Sequence, residues 1–135
     1  MKILVVDDDK VLLEAIAYTL TNDGYEVKTA DDGFQALDII QKQEQLDLII
    51  SDIMMPNMTG LGLLSLLKKF YFDTVPVILM STLDKKEIIL SAMKLGAYDF
   101  ILKPFNIEEL ALRVKRILEK NATGENSAEE TGTHR

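Results

Sequence analysis

Short apolar runs alternate along the chain with longer segments in which apolar residues recur at helical spacing. After the apolar run at residues 3–6, for example, Leu12, Ile16 and Leu20 recur at the spacing of one helix face. Gly24 and Gly96 follow two such segments and are typical helix stops. The pattern predicts strands at residues 3–6, 25–29, 46–50, 75–80 and 98–102, and helices at residues 11–20, 34–43, 60–70, 85–95 and 107–118.

This order of elements is typical of βαβ units, in which a helix carries the chain between two parallel strands. Such crossovers are right-handed, and the helices cover both faces of the sheet. The runs at residues 3–6, 46–50 and 75–80 are apolar on both faces, as central strands of a parallel sheet are. We therefore expect a single doubly wound α/β domain with five parallel strands and five helices.

The chain has 135 residues, a length that fits one domain. The periodic pattern defines this domain as residues 1–120. Between residues 121 and 135 the composition shifts to Thr, Gly, Glu, Ser and Asn, which predicts a disordered acidic tail or the start of a linker. The formal net charge of −7 argues against nucleic acid or an anionic membrane as the main partner, because both bind clustered Lys and Arg.

The residue types that are absent or rare exclude several chemistries. The chain has no Cys, which excludes a disulfide framework, thiolate metal sites and a thiol nucleophile. Its only His is His134 in the predicted tail, so a His-based metal site and a Ser-His-Asp triad lack an essential residue. No signal-peptide pattern and no apolar run of ~18 residues occurs, which predicts a cytoplasmic protein.

Polar and charged residues follow four predicted strands, at the edge where open parallel sheets bind ligands. They are Asp7, Asp8 and Asp9, then Asp52, then Ser81 and Thr82, and finally Lys103. Taken singly, an acid in such a place is often only a helix cap. Together these residues favour a Mg²⁺ site, because crowded carboxylates repel one another without a cation. A carboxylate beside a metal ion and a lysine can also attack a phosphoryl group.

Other phosphate chemistry fits poorly. The chain lacks the G-x-x-x-x-G-K-[ST] motif, and Gly60-Leu61-Gly62 begins only a partial dinucleotide fingerprint that does not follow a strand. Three acids at the first strand–helix turn would repel a pyrophosphate or a flavin phosphate. Two alternatives stay open. One is a Mg²⁺-dependent phosphatase with an Asp nucleophile, which usually carries a second Asp where Met54 stands; the other is an interaction module that is never phosphorylated.

Four motifs, in their order and spacing, resemble the receiver domain (CheY-like) of bacterial two-component response regulators over residues 2–120. They are ILVVDDD at residues 3–9, SDIMMP at 51–56 with Gly60, PVILMS at 76–81, and GAYDFILKPF at 96–105. The resemblance implies a flavodoxin-like sheet with strand order 2-1-3-4-5. It also implies that the chain is a signalling switch and not an enzyme. Such a switch catalyses only its own phosphorylation and dephosphorylation.

The resemblance implies a role for each residue of the acidic edge. Asp52 is the implied phospho-acceptor, and a phospho-His of a histidine kinase is the donor. Asp8 would bind Mg²⁺ directly and Asp7 would hold metal-bound water, with Asp52 and the backbone carbonyl of Met54 completing the ligands. Mn²⁺ could substitute for Mg²⁺. Lys103 would pair with Asp52 and later with its phosphoryl group.

The resemblance also implies a switch. Ser81 takes the position of the switch hydroxyl, which contributes to catalysis and moves toward the phosphoryl group. Phe100 takes the position of the switch aromatic side chain, which turns inward. The surface of the fourth helix, fifth strand and fifth helix would then change its contacts. Met54, Thr82 and Leu83 would control access to the phosphoryl site. Thr82 stands where the family most often has Ala, and the apolar Met54 and Leu83 cannot hold an attacking water, so we expect slow dephosphorylation.

The implied partners are a cognate histidine kinase or phosphotransfer protein and an output protein or domain of unknown identity. Direct binding to nucleic acid or membrane is not expected, because nothing after Lys120 has a DNA-binding signature. Whether the receiver stands alone or belongs to a longer regulator stays open. The oligomeric state is also open. Phosphorylation-dependent homodimerisation through the surface of the fourth helix, fifth strand and fifth helix is one option.

Overall fold

The computed structural model describes residues 1–42, 45–55, 57–70 and 75–123. Within these ranges, five strands and five helices alternate along the chain. The strands are β1 (Lys2–Val6), β2 (Glu26–Ala30), β3 (Leu48–Asp52), β4 (Val77–Ser81) and β5 (Asp99–Leu102). The helices are α1 (Lys10–Asn22), α2 (Gly33–Lys42), α3 (Gly60–Phe70), α4 (Lys86–Lys94) and α5 (Ile107–Thr123).

The strands form one sheet in the order β2-β1-β3-β4-β5, and every neighbouring pair is parallel. The predicted fold class and strand order are therefore confirmed. The chain leaves β1 toward β2 and then crosses to β3 on the other side of β1. In such sheets, ligands bind at the carboxyl ends of the two strands where the order reverses, which are here β1 and β3.

The core has two layers because successive side chains of a strand point to opposite faces of the sheet. Leu4 and Ile49 belong to the layer beneath α2, α3 and α4. Ile3 and Ile50 belong to the layer beneath α1 and α5. The strands β3 and β4 are buried at every position, as the prediction of central strands requires. No helix in the described ranges is both long and apolar enough to span a bilayer.

The ends of β3 and β4 differ most from the prediction, by up to two residues, whereas the ends of β1, β2 and β5 differ by at most one residue. The strand β3 begins at Leu48, two residues later than expected, and extends to Asp52, which was expected to follow the strand. The strand β4 begins at Val77 and ends at Ser81. Pro76 has no amide hydrogen to donate to the sheet, although its carbonyl accepts a 3.0 Å hydrogen bond from the amide of Ile49. Asp52 and Ser81 are therefore held by the sheet itself, which limits their movement.

The helix ends agree with the prediction within two residues, except that α5 ends five residues later than expected. Gly24 and Gly96 follow α1 and α4 with φ angles of 100° and 103°, in the left-handed region that glycine adopts readily, and both predicted helix stops are confirmed. Helix α5 extends to Thr123, so its backbone includes residues 121–123, which were expected to belong to the tail. The rest of the predicted tail, residues 124–135, lies outside the described residues, as does residue 43 of the predicted second helix.

Candidate functional site

One ammonium group contacts two carboxylates at the carboxyl edge of the sheet. Lys103 follows β5, and its Nζ lies 2.8 Å from Oδ2 of Asp7 and 3.3 Å from Oδ1 of Asp52. Asp7 follows β1 and is fully buried, while Asp52 ends β3 and is 5% exposed. These residues are far apart in the sequence, and the parallel sheet brings them together because the carboxyl ends of its strands share one edge.

Asp7 has a partner for each carboxylate oxygen. Its Oδ2 accepts a hydrogen bond from Lys103, and its Oδ1 accepts a 2.9 Å bond from the amide of Asp9. Asp9 in turn caps α1, since its Oδ1 accepts hydrogen bonds from the amides of Val11 and Leu12 at 3.1 and 3.2 Å. Of the three acids after β1, Asp9 is therefore the one that caps the helix. The buried Asp7 is held in one orientation.

The residues present fit a hard divalent cation. Asp7, Asp8 and Asp52 each offer a carboxylate oxygen, and these oxygens lie within 4.8 Å of one another. Asp8 is exposed, so a cation could reach the cluster from solvent. Carboxylate oxygens are the ligands that Mg²⁺ prefers, and three carboxylates against one ammonium leave excess negative charge. Met54, whose carbonyl is the fourth predicted ligand, lies two residues beyond Asp52.

The electrostatics of the site keep Asp52 and Lys103 charged near neutral pH. Burial, followed by the negative charge of Asp7, raises the pKa of Asp52 to about 6, and the nearby Lys103 offsets part of this shift. For Lys103, burial lowers the pKa, but the hydrogen bond to Asp7 and the charges of both carboxylates outweigh it and raise the pKa overall. At pH 7 to 8 the site therefore presents an ionised Asp52 beside a protonated Lys103.

A closed loop connects β3 to α3 immediately after Asp52. The amide of Gly60 donates a 2.9 Å hydrogen bond to the carbonyl of Ile53, and a side chain on Gly60 would overlap the carbonyl oxygen of Asp52. Glycine is therefore required where α3 starts. Ile53 and Met55 are buried, whereas Met54 between them is 58% exposed. The loop thus places the side chain of Met54 at the surface beside the site.

The fourth strand supplies the predicted hydroxyl. Ser81 ends β4 and is fully buried. Its Oγ accepts a 2.8 Å hydrogen bond from the amide of Leu83, and its carbonyl accepts a 2.8 Å bond from the amide of Lys103. Thr82 is exposed and Leu83 is half-buried. Ser81 therefore lies at the same sheet edge, directly connected to the backbone of the site lysine.

Phe100, the predicted switch aromatic, is half-buried in β5 and packs against the core layer beneath α2, α3 and α4. Arg113 of α5 holds this strand from the other side. Its Nη1 donates to Oδ2 of Asp99 at 3.1 Å and to the carbonyl of Phe100 at 3.4 Å, and its Nη2 donates to Glu109 at 2.8 Å. Arg113 was not predicted, although its helical spacing from Glu109 is a recognisable sequence signal.

Acidic residues also follow β2, and they were not predicted to form part of this edge. Oδ1 of Asp32 accepts a 2.8 Å hydrogen bond from the amide of Gln35, and Oε1 of Gln35 accepts a 3.1 Å bond from the amide of Asp31. This arrangement is similar to a capping box at the start of α2, except that Gln35 accepts from the amide of Asp31 and not from that of the capping residue Asp32. The spacing of Asp32 and Gln35 was a sequence signal for it. A further partner of Asp32, Asn57, had no local signal, since it lies in a different loop.

Comparisons with known proteins agree with the fold. The family model described as "Response regulator receiver domain" matches residues 3–115. Over 125 residues the chain is 34% identical to the response regulator MprA of Mycobacterium sp. (strain KMS). The aligned region covers 93% of this chain and 54% of that relative. The chain therefore spans about half the length of such curated relatives.

Solved structures of receiver domains are also similar to this chain. The receiver domain of the Francisella response regulator 1452 aligns with a TM-score of 0.83 and 38% identity, covering 89% of this chain and 98% of that one. The chemotaxis response regulator CheY4 of Vibrio cholerae aligns with a TM-score of 0.80 and 36% identity, covering 87% of this chain and 98% of that one.

A doubly wound five-stranded sheet with an acidic site at its switch point defines a receiver-type signalling domain. The chain belongs to the response regulator receiver domain family of two-component signalling. Response regulators act together with histidine kinases and output effectors. The comparisons indicate a family of signalling regulators.

Proposed function

We propose that Asp52 accepts a phosphoryl group from the phospho-His of a cognate histidine kinase or phosphotransfer protein. One observation carries this proposal. The Asp52 carboxylate lies 3.3 Å from Nζ of Lys103 and shares a cluster of oxygens, within 4.8 Å of one another, with Asp7 and Asp8. A nucleophilic carboxylate, a cation and ligands for a metal ion are the parts that phosphoryl transfer to an aspartate needs.

The step forms one P–O bond and breaks one P–N bond. An oxygen of the ionised Asp52 attacks phosphorus, and the imidazole nitrogen of the donor leaves with the bonding electrons. The ammonium of Lys103 is close enough to bind an oxygen of the transferred group, where negative charge must be neutralised. Asp7, Asp8, Asp52 and the carbonyl of Met54 would hold Mg²⁺, which would supply further positive charge at that place.

The proposed switch begins at Ser81 and Phe100. The new phosphoryl oxygens are hydrogen-bond acceptors, and Ser81, at the same edge of the sheet, is the hydroxyl that turns toward them. Phe100 then turns inward, and the surface formed by α4, β5 and α5 changes its contacts. This couples a local change of charge to the binding of an output protein or domain. A cytoplasmic location, where the kinase would present its phospho-His, belongs to the same proposal.

Intact mass spectrometry tests the acceptor directly. The full chain is incubated with Mg²⁺ and acetyl phosphate, in parallel with the Asp52→Asn variant. We expect a gain of one phosphoryl group in the wild type, no gain in Asp52→Asn, and no gain in the wild type with EDTA. The matched control is Asp38→Asn, which removes an exposed acid from α2 and should be phosphorylated like the wild type. An equal gain in Asp52→Asn, or none in the wild type with Mg²⁺, would contradict the proposal.

Phosphate release distinguishes this function from that of a phosphatase. A receiver that has been phosphorylated once releases about one phosphate per chain, whereas a phosphatase turns over many substrate molecules per chain. The position two residues after the proposed nucleophile holds Met54, which has no acidic group for such a cycle. Sustained turnover of a simple phosphate ester by the wild type, lost in Asp52→Asn, would favour the phosphatase.

A further inference from the structure

A side-chain hydrogen bond joins two loops at the carboxyl edge of the sheet. Nδ2 of Asn57, between β3 and α3, donates to Oδ2 of Asp32, between β2 and α2, at 3.1 Å. Asn57 has a φ angle of 73°, in the left-handed region that Asn adopts more readily than most residues. The bond therefore holds a turn of the loop that begins at Asp52.

A second contact joins the same two loops. Met58 packs so closely against Gly33 that a methyl group on Gly33 would overlap the Cβ of Met58. Asp32 is half-buried, and its Oδ1 already accepts the amide of Gln35 at the start of α2. Because one oxygen of Asp32 is bound to the helix, the other reaches Asn57 from a fixed position.

The Asn57 turn is one anchor of the loop that carries Met54. Another anchor is the hydrogen bond from the amide of Gly60 to the carbonyl of Ile53, close to Asp52. Met54, whose carbonyl is the proposed metal ligand, lies between the two anchors and exposes most of its side chain. Its own side chain is therefore held by little burial, and the position of its backbone depends on the buried neighbours Ile53 and Met55 together with the anchors on either side.

We propose that Asp32 and Asn57 are positioning residues of the phosphoryl-acceptor site. Asp32, held by the start of α2, fixes the Asn57 turn, and the turn keeps the carbonyl of Met54 in place as a Mg²⁺ ligand beside Asp52. Neither residue contacts the phosphoryl group in this proposal. The inference rests on the proposed function of Asp52, and it extends the site to the loop after β2.

The Asn57→Gly variant removes the hydrogen-bond donor without changing the charge, and glycine tolerates the positive φ angle. Calorimetric titration of the full chain with Mg²⁺ measures the Kd, and acetyl phosphate measures the phosphorylation rate. We expect the Kd to rise about three- to tenfold, the range expected for losing one hydrogen bond that holds the ligand. The phosphorylation rate at subsaturating Mg²⁺ should fall by a similar factor.

Exchanging donor and acceptor supplies the rescue. Asp32→Asn alone still caps α2, but it replaces the charged acceptor by an amide, to which Asn57 can bond only by turning over its own amide, so it should also weaken Mg²⁺ binding. Combined with Asn57→Asp, it restores the bond in the reverse direction with the wild-type net charge, and Asp also tolerates the left-handed region. We expect the double variant to recover a Kd within about twofold of wild type. Asp38→Asn controls for the loss of one acid, here from the helix that Asp32 precedes.

Each outcome has a distinct meaning. If wild type is phosphorylated and Asn57→Gly keeps the wild-type Kd and rate, the positioning role is overturned and the proposed function stands. A general loss of unfolding free energy, with no recovery of the Kd in the double variant, assigns the bond to stability and also overturns the inference. If wild type takes up no phosphoryl group, the proposed function fails, and the Mg²⁺ titration still decides whether Asp32 and Asn57 position the loop.

Discussion

The ammonium of Lys103 lies closer to Asp7, at 2.8 Å, than to Asp52, at 3.3 Å. Asp7 is fully buried, and its second oxygen is bound to the amide of Asp9. In the proposed function, Lys103 therefore keeps one fixed partner while its other partner, Asp52, gains and loses a phosphoryl group. In that proposal, the ion pair of Lys103 and Asp7 stays in place while the charge on Asp52 changes.

Removal of Lys103 should destabilise the metal-free fold. In Lys103→Met, Asp7 stays buried without its cation, and the free energy of unfolding should fall by about 3 kcal/mol. Urea denaturation in EDTA measures this. Lys85→Met, which removes an exposed lysine before α4, should change the value by less than about 0.5 kcal/mol. Equal effects of the two changes would show that the pair of Lys103 and Asp7 adds nothing to stability.

The same substitution should slow phosphorylation even at saturating Mg²⁺. Without the ammonium, one source of positive charge at the transferred group is lost, and the rate with acetyl phosphate at saturating Mg²⁺ should fall about 100-fold or more. Time-resolved intact mass spectrometry gives the rate, with Lys85→Met again as control. A Lys103→Met variant phosphorylated at the wild-type rate would remove Lys103 from the mechanism.

Mg²⁺ should stabilise the wild type through Asp8. Binding to the folded state alone adds about 1.4 kcal/mol at a concentration ten times the Kd, which thermal unfolding detects as a higher Tm. Asp8→Asn should lose most of this gain but unfold like the wild type in EDTA, because Asp8 is exposed. Asp9→Asn is the matched control, since Asn also caps helices and the Mg²⁺ effect should persist. The same Mg²⁺ response in Asp8→Asn and the wild type would show that Asp8 is not a ligand.

Stability should depend on pH through Asp52. Its pKa is raised to about 6 in the folded chain, so between pH ~4 and ~6 the folded state binds more protons than the unfolded state. The free energy of unfolding then falls as pH rises through this range. Asp52→Asn removes this loss, so in EDTA it should be more stable than the wild type by about 1–3 kcal/mol at pH 8, with the difference disappearing near pH 4. A gain that is the same at both pH values would exclude titration of Asp52 as the cause.

The phosphorylated form should decay slowly. Met54 and Leu83 are apolar, and neither can hold the water that attacks the phosphoryl group. The double variant Met54→Asn with Leu83→Glu introduces groups that can hold this water. Its phosphorylated form should decay about tenfold faster or more after acetyl phosphate is removed. Loss of the phosphoryl mass over time measures both proteins. Equal decay of the two proteins would mean that these positions do not control phosphoryl lifetime.

The elements of the fold and most residues proposed for the site followed from local patterns, whereas the strand order was implied by the family resemblance. Apolar runs and helical spacing predicted all five strands and helices, because the burial of one face leaves a period that local sequence shows. The same pattern placed Asp7, Asp52, Ser81 and Lys103 at one edge, since parallel strands align their carboxyl ends whatever their order. Boundaries shifted by one or two residues at β3 and β4, where hydrogen bonding and Pro76 decide the start of a strand.

Contacts between distant residues could not be predicted in this way. That Lys103 lies closer to Asp7 than to Asp52, and that Asn57 binds Asp32, depends on how neighbouring loops pack and which side-chain rotamers fit between them. Local periodicity carries no information about such distances, because they arise only when the sheet and its helices are assembled. Sequence therefore identified the chemical groups of the site, while the folded chain decided which of them touch.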